Sequence, residues 1–220
     1  MFSLNFIWSS KHFNWHKSWF KTAVTITKNY FNWLCFIHSL TCRSDSRYKW
    51  FENFLPKKKK KIPIYCDKIT SKYLYQNFTY CFIKKKDYPP ILSLKPLKKN
   101  FTLGYKKNNI KIKSVKVKHG LIDAVGYIIE DKIAYISDVN EFYTKDFEYF
   151  KNLEYLIIDC LRYVKHPSHF NLEDVIKIVA LLKPKKTILT NLHSDLDYNQ
   201  LLKILPNNII PGYDGLNVNI

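Results

Sequence analysis

From Ile62 onward, apolar and polar positions fall into short, orderly runs. Ile62–Cys66 (IPIYC) predicts a strand, and the stretch 67–82 (DKITSKYLYQNFTYCF) predicts a helix with Asp67 near its start. Tyr88-Pro89-Pro90 marks a loop. In 110–117 (IKIKSVKV), Ile110, Ile112, Val115 and Val117 alternate with lysines and slip at Ser114, the pattern of a half-buried strand. VGYIIE (125–130) and KIAYIS (132–137) read as a β-hairpin turning at Glu130-Asp131-Lys132. A helical TKDFEYFKN then leads into LEYLIID, a buried strand ending on Asp159. NLEDVIKIVALLK is an amphipathic helix with Asn171 as N-cap and Glu173 and Asp174 in its first turn, where negative charge suits the helix dipole. KTILT is the next buried strand, DYNQLLKIL a short helix and LNVNI a closing strand. Strands alternating with helices make this an α/β chain.

Before residue 57 the character differs. All five tryptophans (Trp8, Trp15, Trp19, Trp33, Trp50) lie in the first fifty residues, which hold no glycine, no proline and one acid, Asp45. The lysine run Lys57–Lys61 follows Pro56. We therefore divide the chain into an atypical aromatic, basic segment, 1–56, and a domain spanning 57–220. The net charge of +18 invites a nucleic-acid reading, but residues 1–118 carry 26 Lys/Arg against 4 Asp/Glu, whereas 119–220 carry 10 against 14. The basic residues are 33 Lys and 3 Arg, while base-edge and phosphate recognition favours the guanidinium fork.

Other classes fall away. No window reaches about 18 uninterrupted apolar residues, so no spanning helix is expected, and the N-terminus lacks the ordered regions of a signal peptide. A cytoplasmic protein is the expectation. Cys35, Cys42, Cys66, Cys81 and Cys160 have no paired C-x-x-C spacing, so reduced, mostly buried thiols are expected rather than disulfides or a zinc ribbon.

Four polar residues stand at or just past the ends of predicted strands: His119, Asp138, Asp159 and His193. Taken singly, each reads equally as a turn former or a hydrogen-bonded cap. Together they fit a frame on which catalytic groups converge, because strand ends are rigid supports for loops. Imidazole with carboxylate suits Zn, Mn or Fe. LRYVKHPSH places Arg162, His166 and His169 directly after the strand that ends on Asp159. Beside a metal, Arg162 would act as an oxyanion clamp and a histidine as general acid on a phosphoryl substrate. The same loop also reads as a solvated turn stiffened by Pro167.

The motifs VKHG (117–120), YISDV (135–139), LIIDCLRYVKHPSHF (156–170), ILTNLHSDLDY (188–198) and PGYDGLNV (211–218) make residues 62–220 resemble the metallo-β-lactamase superfamily. Within it, they resemble the branch that includes phosphoribosyl cyclic phosphate phosphodiesterase. The resemblance implies an αββα sandwich with a binuclear Zn or Mn centre and a small phosphodiester substrate. It implies that His119 binds one metal, Asp138 bridges both and His193 binds the second. It also implies that His169 contacts the substrate phosphate or protonates the leaving group.

That family takes its remaining ligands from His-x-His-x-Asp-His, which this chain does not contain. The expectation is therefore an N-terminally incomplete sandwich with impaired phosphodiesterase activity. The motif's place is occupied by IHSLTCRSDSRY (37–48). One choice of codons for His38 to Tyr48, read one base later, gives Thr-His-Leu-His-Ala-Asp-Gln-Ile-His-Gly, so segment 1–56 reads as an out-of-frame translation. Two alternatives stand beside the hydrolase: an inactive homologue, and a basic nucleic-acid-binding protein. A membrane partner is not expected.

Overall fold

The computed structural model describes residues 3–7, 23–27, 61–84, 89–105 and 108–219. The tryptophan cluster and the segment 37–48 lie outside the described residues. Two compact units divide the chain, one of residues 1–97 with 214–220, the other of residues 98–213.

In the first unit, strands Ser3–Ile7 (β1) and Ala23–Thr27 (β2) pair antiparallel. Ile62–Cys66 (β3) pairs parallel with Leu92–Pro96 (β4) across helices Lys68–Asn77 (α1) and Thr79–Phe82 (α2). The parallel pairing requires such a crossover. Asp67 caps α1, its carboxylate accepting from the Thr70 N–H at 2.8 Å. The single helix expected over 67–82 breaks at Phe78, which leaves helical geometry at φ −132°, ψ 35°. Around the break, Asn77 Nδ2 donates to Tyr73 O at 2.9 Å and Thr79 Oγ1 to Tyr75 O at 2.6 Å, local bonds that compete with helix propagation. Ile64, Cys66, Leu74, Cys81 and Leu92 form this unit's small described core.

The second unit is built on one large sheet. Its strands are Asn100–Tyr105 (β5), Asn108–His119 (β6), Ile122–Ile129 (β7), Ile133–Ile136 (β8), Glu141–Phe142 (β9), Tyr155–Asp159 (β10), Lys186–Thr190 (β11) and Ile209–Pro211 (β12). The spatial order is β12-β11-β10-β8-β7-β6-β5, with β9 against the end of β6. Strands β8, β10, β11 and β12 run parallel, and β7 lies antiparallel between β8 and β6. Two reversals return β6 to the direction of β8, so the carboxyl ends of β6, β8, β10 and β11 share one edge.

The β7–β8 hairpin turns where expected. Glu130 (φ 54°) and Asp131 (φ 52°) lead the three-residue connection between the paired Ile129 and Ile133, and the Lys132 N–H donates to Ile129 O at 3.0 Å. Positive φ at both residues suits the right-handed twist of the flanking strands. The slip at Ser114 marks a change of face. Its N–H and hydroxyl donate to Lys99 O (2.7 Å) and Lys98 O (2.9 Å), and beyond it Val115 and Val117 enter the main core, whereas Ile112 is buried elsewhere.

Helix Leu172–Leu182 (α3) brings Leu172, Val175, Val179 and Leu182 to that core on one stripe. Asn171 caps it, its Oδ1 accepting from the Asp174 N–H at 2.9 Å. Helix Tyr198–Ile204 (α4) adds Leu201, and Thr144–Phe150 forms a 3-10 helix rather than an α-helix, burying Phe150. Asn217–Asn219 (β13) belongs to the first unit, where it pairs antiparallel with β1.

Candidate metal centre

The shared edge of the second unit's sheet gathers the polar residues of the strand ends. His119 is the last residue of β6, Asp138 lies two residues past β8, Asp159 ends β10, and His169 sits in the loop between β10 and α3. Ligand atoms of His119, Asp138 and His169 lie within 4.8 Å of one another. All three side chains sit at low exposure (9 %, 5 % and 7 %).

Backbone pairing holds the frame. The loop 161–171 is stitched to its surroundings by Leu161 N–H to Phe170 O (2.9 Å), Phe170 N–H to Val139 O (2.9 Å) and Leu172 N–H to Arg162 O (3.1 Å). Asn140 is a clamp that the sequence did not reveal. Its Oδ1 accepts from the Gly120 N–H at 2.9 Å and its Nδ2 donates to Pro167 O at 3.1 Å, tying the turn after His119 to the loop before His169. Gly120 makes this approach possible: its φ is +64°, and a Cβ there would stand 3.0 Å from Ser168 Cβ.

Each histidine of the group is held through Nδ1. His119 Nδ1 is 2.7 Å from the Ser168 carbonyl oxygen, and His169 Nδ1 is 2.5 Å from Asp159 Oδ2. Both partners are acceptors, so each ring carries a proton on Nδ1 and presents its lone pair at Nε2. The two rings meet edge to face with centroids 4.5 Å apart.

Asp159 is fully buried yet has several donors: Val139 N–H at 3.1 Å, Asn191 Nδ2 at 3.0 Å and the His169 ring. Burial pushes its carboxyl up to about 6, against the pull of His169, the Val139 amide and Asn191. Asn191 adopts φ 63° to make its contact, a second role the sequence did not signal. Burial, then the carboxylates of Asp159 and Asp195, push the Cys160 thiol up to about 12, so it remains a protonated thiol rather than a nucleophile.

His166 stands next to the group, its ring 5.1 Å from that of His169. Ser168 offers its N–H (3.3 Å) and its hydroxyl (3.2 Å) to His166 Nδ1, which places the ring proton on Nε2. Burial, then the neighbouring His169, Arg162 and His119, hold His166 below the usual imidazole range, so it is neutral at pH 7. Arg162 pairs through its backbone with Asn171, and its buried Nε has no protein acceptor. His193, implied as a ligand by the resemblance, does not join the group of three: its side chain is 52 % exposed and its Nδ1 lies 3.0 Å from Asp195 Oδ1.

Two imidazoles and a carboxylate, each imidazole hydrogen-bonded through Nδ1 with Nε2 left facing the group, are a donor set that fits a borderline divalent ion such as Zn or Mn. Among the described residues this is the one such group of three.

A sheet with metal-ligand residue types converging on one edge defines a class, and the comparisons place the chain in it. The profile of the beta-lactamase superfamily domain matches residues 52–191, and the chain belongs to that family. An octanoyltransferase of Porphyromonas gingivalis is 28 % identical over 162 residues, covering 71 % of this chain and 32 % of that protein. The chain thus spans about a third of the length of that relative. The crystal structure of a diphosphatase from the PhnP family is similar with a TM-score of 0.63 and 26 % identity, over 72 % of this chain and 58 % of that one. Zn-bound PqqB from Methylobacterium extorquens has a TM-score of 0.58 at 12 % identity, over 74 % of this chain and 67 % of that one. YhfI from Bacillus subtilis, a metallo-β-lactamase fold protein, has a TM-score of 0.55 at 15 % identity, over 77 % of this chain and 68 % of that one. The fold is the metallo-β-lactamase type. Among the described residues, no helix is long and apolar enough to cross a membrane.

Proposed function

We propose that this protein is a metal-dependent hydrolase of small phosphodiesters, slowed by the absence of a His-x-His-x-Asp-His sequence from the chain. The observation that carries the reading is the convergence of His119, Asp138 and His169 within 4.8 Å on one sheet edge. The likeness to a PhnP-family diphosphatase at 26 % identity supports a phosphate-ester substrate. Octanoyl transfer is not carried over, because the match covers 32 % of that relative.

His119 and Asp138 would hold a divalent ion, Zn or Mn, which supplies Lewis acidity toward a phosphoryl oxygen when bound. The remaining work falls to the loop after β10. His166, neutral with its proton on Nε2, donates a hydrogen bond to a phosphoryl oxygen or to the leaving oxygen. Arg162 brings a fixed positive charge and an unpaired Nε–H, a donor that an anionic substrate satisfies.

A nucleic-acid groove along β6 is less favoured by its surroundings. Lys113 pairs with Asp131 (3.3 Å), Lys116 with Asp123 (2.9 Å) and Lys118 with Glu141 (2.6 Å), so acids answer the lysines of that strand.

The test is hydrolysis of bis(p-nitrophenyl) phosphate by the chelator-stripped protein, with Mn or Zn added back. Slow, metal-dependent turnover that falls at least about a hundredfold in Asp138→Ala supports the reading. Turnover indifferent to metal, or none with metal, sinks it and leaves an inactive homologue.

A further inference from the structure

We propose that Tyr198 and Tyr213 form a stacking platform for the base of a small nucleoside phosphodiester whose phosphate lies at Arg162 and His166. The inference deepens the function proposed above by naming its substrate class. It rests on that reading for hydrolysis, though not for binding.

The platform lies on the same sheet edge as the polar residues of the strand ends. Strands β10, β11 and β12 are parallel neighbours, so their carboxyl ends open on one side. Asp159 ends β10 opposite Thr190, and Pro211 ends β12 opposite Leu189, two strands along. Tyr213 follows Pro211 by two residues, and Tyr198 begins α4 after the loop that leaves β11. The two rings meet edge to face, with centroids 6.2 Å apart and planes at 89°. An edge-to-face contact covers one face of one ring only. Both residues accordingly stay open to solvent, 37 % and 48 % exposed.

Backbone bonds fix the pair to the loop that carries Arg162. The His193 N–H donates to Leu161 O at 2.8 Å, the Cys160 N–H to Thr190 O at 2.9 Å and the Gly212 N–H to Leu189 O at 2.8 Å. Glycine is required at the last of these, since a Cβ on Gly212 would stand 2.7 Å from Leu189 O. Asp197 seats Tyr198 at the start of α4, its carboxylate accepting from the Gln200 N–H at 2.9 Å. Strands spaced by about 4.8 Å put β12 about 10 Å from β10. A ring held by the tyrosines is therefore separated from a phosphate at the Arg162 loop by a spacer of sugar size, not by one oxygen.

Charge sets the direction in which such a substrate lies. Arg162 is cationic, and its buried Nε has no protein acceptor. Asp195, Asp197 and Asp214 flank the two tyrosines in sequence and disfavour an anion at that end. The phosphate thus belongs at Arg162 and the uncharged ring at the tyrosines. Stacking accepts any base, because every base has a π-face, so the site selects for a nucleoside rather than for one base.

The experiment is calorimetric titration of the full chain, with MnCl2 present, using adenosine 5′-monophosphate, ribose 5-phosphate and phenyl phosphate. It is repeated in Tyr198→Ala, Tyr213→Ala and Tyr213→Phe, each verified as folded by far-UV circular dichroism. The adenosine monophosphate is expected to bind about tenfold more tightly than either of the other two. Each alanine variant brings it within about twofold of ribose 5-phosphate, while Tyr213→Phe keeps the preference. Ribose 5-phosphate itself binds alike in all four chains. Equal affinity of the adenosine monophosphate and either other ligand, no binding of it, or a preference that survives both alanine variants overturns the proposal. The expected preference in a chain that turns over no phosphodiester leaves the platform standing and removes the functional reading. Metal-dependent turnover of bis(p-nitrophenyl) phosphate without that preference does the reverse.

Discussion

The two ends of the second unit's sheet are made from similar residues and used in opposite ways. At the amino end of its parallel strands, Glu130, Asp131, Asn152 and Lys183 adopt positive φ at tight turns, and Lys132 and Lys185 each reach Glu154 at 3.9 Å in solvent. These residues shape turns and keep the edge soluble. At the carboxyl end, the one non-glycine residue with positive φ, Asn191, spends that conformation on a buried carboxylate. His119, Asp138, Asp159 and His169 are there withdrawn from water and linked through named acceptors. A charged group at the first end is one of many exchangeable surface contacts. A charged group at the second is fixed by several partners, and its removal leaves them unsatisfied.

The largest expected effect breaks the second end. Asp159→Ala strips the buried acceptor from His169, Val139 and Asn191 and should destabilise the protein by about 3 kcal/mol or more, read from urea unfolding. A loss under about 1 kcal/mol would show that this edge is no more interlocked than the other. Gly120→Ala comes next. At φ +64°, with Ser168 Cβ at 3.0 Å, the added methyl should cost about 1–2 kcal/mol and loosen the grip on Ser168. An unchanged urea midpoint would remove the close approach from the account.

Lys183→Gly sharpens the comparison from the other side. Lys183 ends α3 in the left-handed region (φ 52°), so glycine there should stabilise the protein by about 0.5–1 kcal/mol without altering metal binding. The smallest effect is one of pH. The Tyr143 hydroxyl (2.5 Å), then Lys116, hold the half-exposed carboxyl of Asp123 below its ordinary value. A lowered folded-state value means a contribution present above the ordinary carboxylate range and lost as pH falls through the lowered one. The difference in Tm between the protein and Asp123→Asn should be small and positive at neutral pH and close in acid. A difference that persists in acid would deny the linkage.

Much of this was legible in the sequence because the signals are local. The Asn171 cap, the stripe from Leu172 to Leu182 and the hairpin turn at Glu130-Asp131-Lys132 are each written within a few residues. The strand ends at His119 and Asp159 could be read from apolar runs that stop on a polar residue. β9 could not, since it is two residues long, and neither could β5, whose register depends on β6. The supports of the site were hidden for the same reason. Asn140 and Asn191 act on residues up to 32 positions away, and the Ser168 carbonyl carries no side-chain signature at all. His169 was visible as a candidate for substrate contact, but its place beside His119 emerges only when the loop after β10 folds back onto the Gly120 turn.

The most direct measurement is an anomalous-difference map from crystals of the full chain grown with Zn, collected on both sides of the Zn absorption edge. The account predicts a peak against His119 and Asp138 at the carboxyl edge of the second unit's sheet. A peak on His193 and Asp195 alone, or none at the carboxyl edge of the sheet, would contradict it.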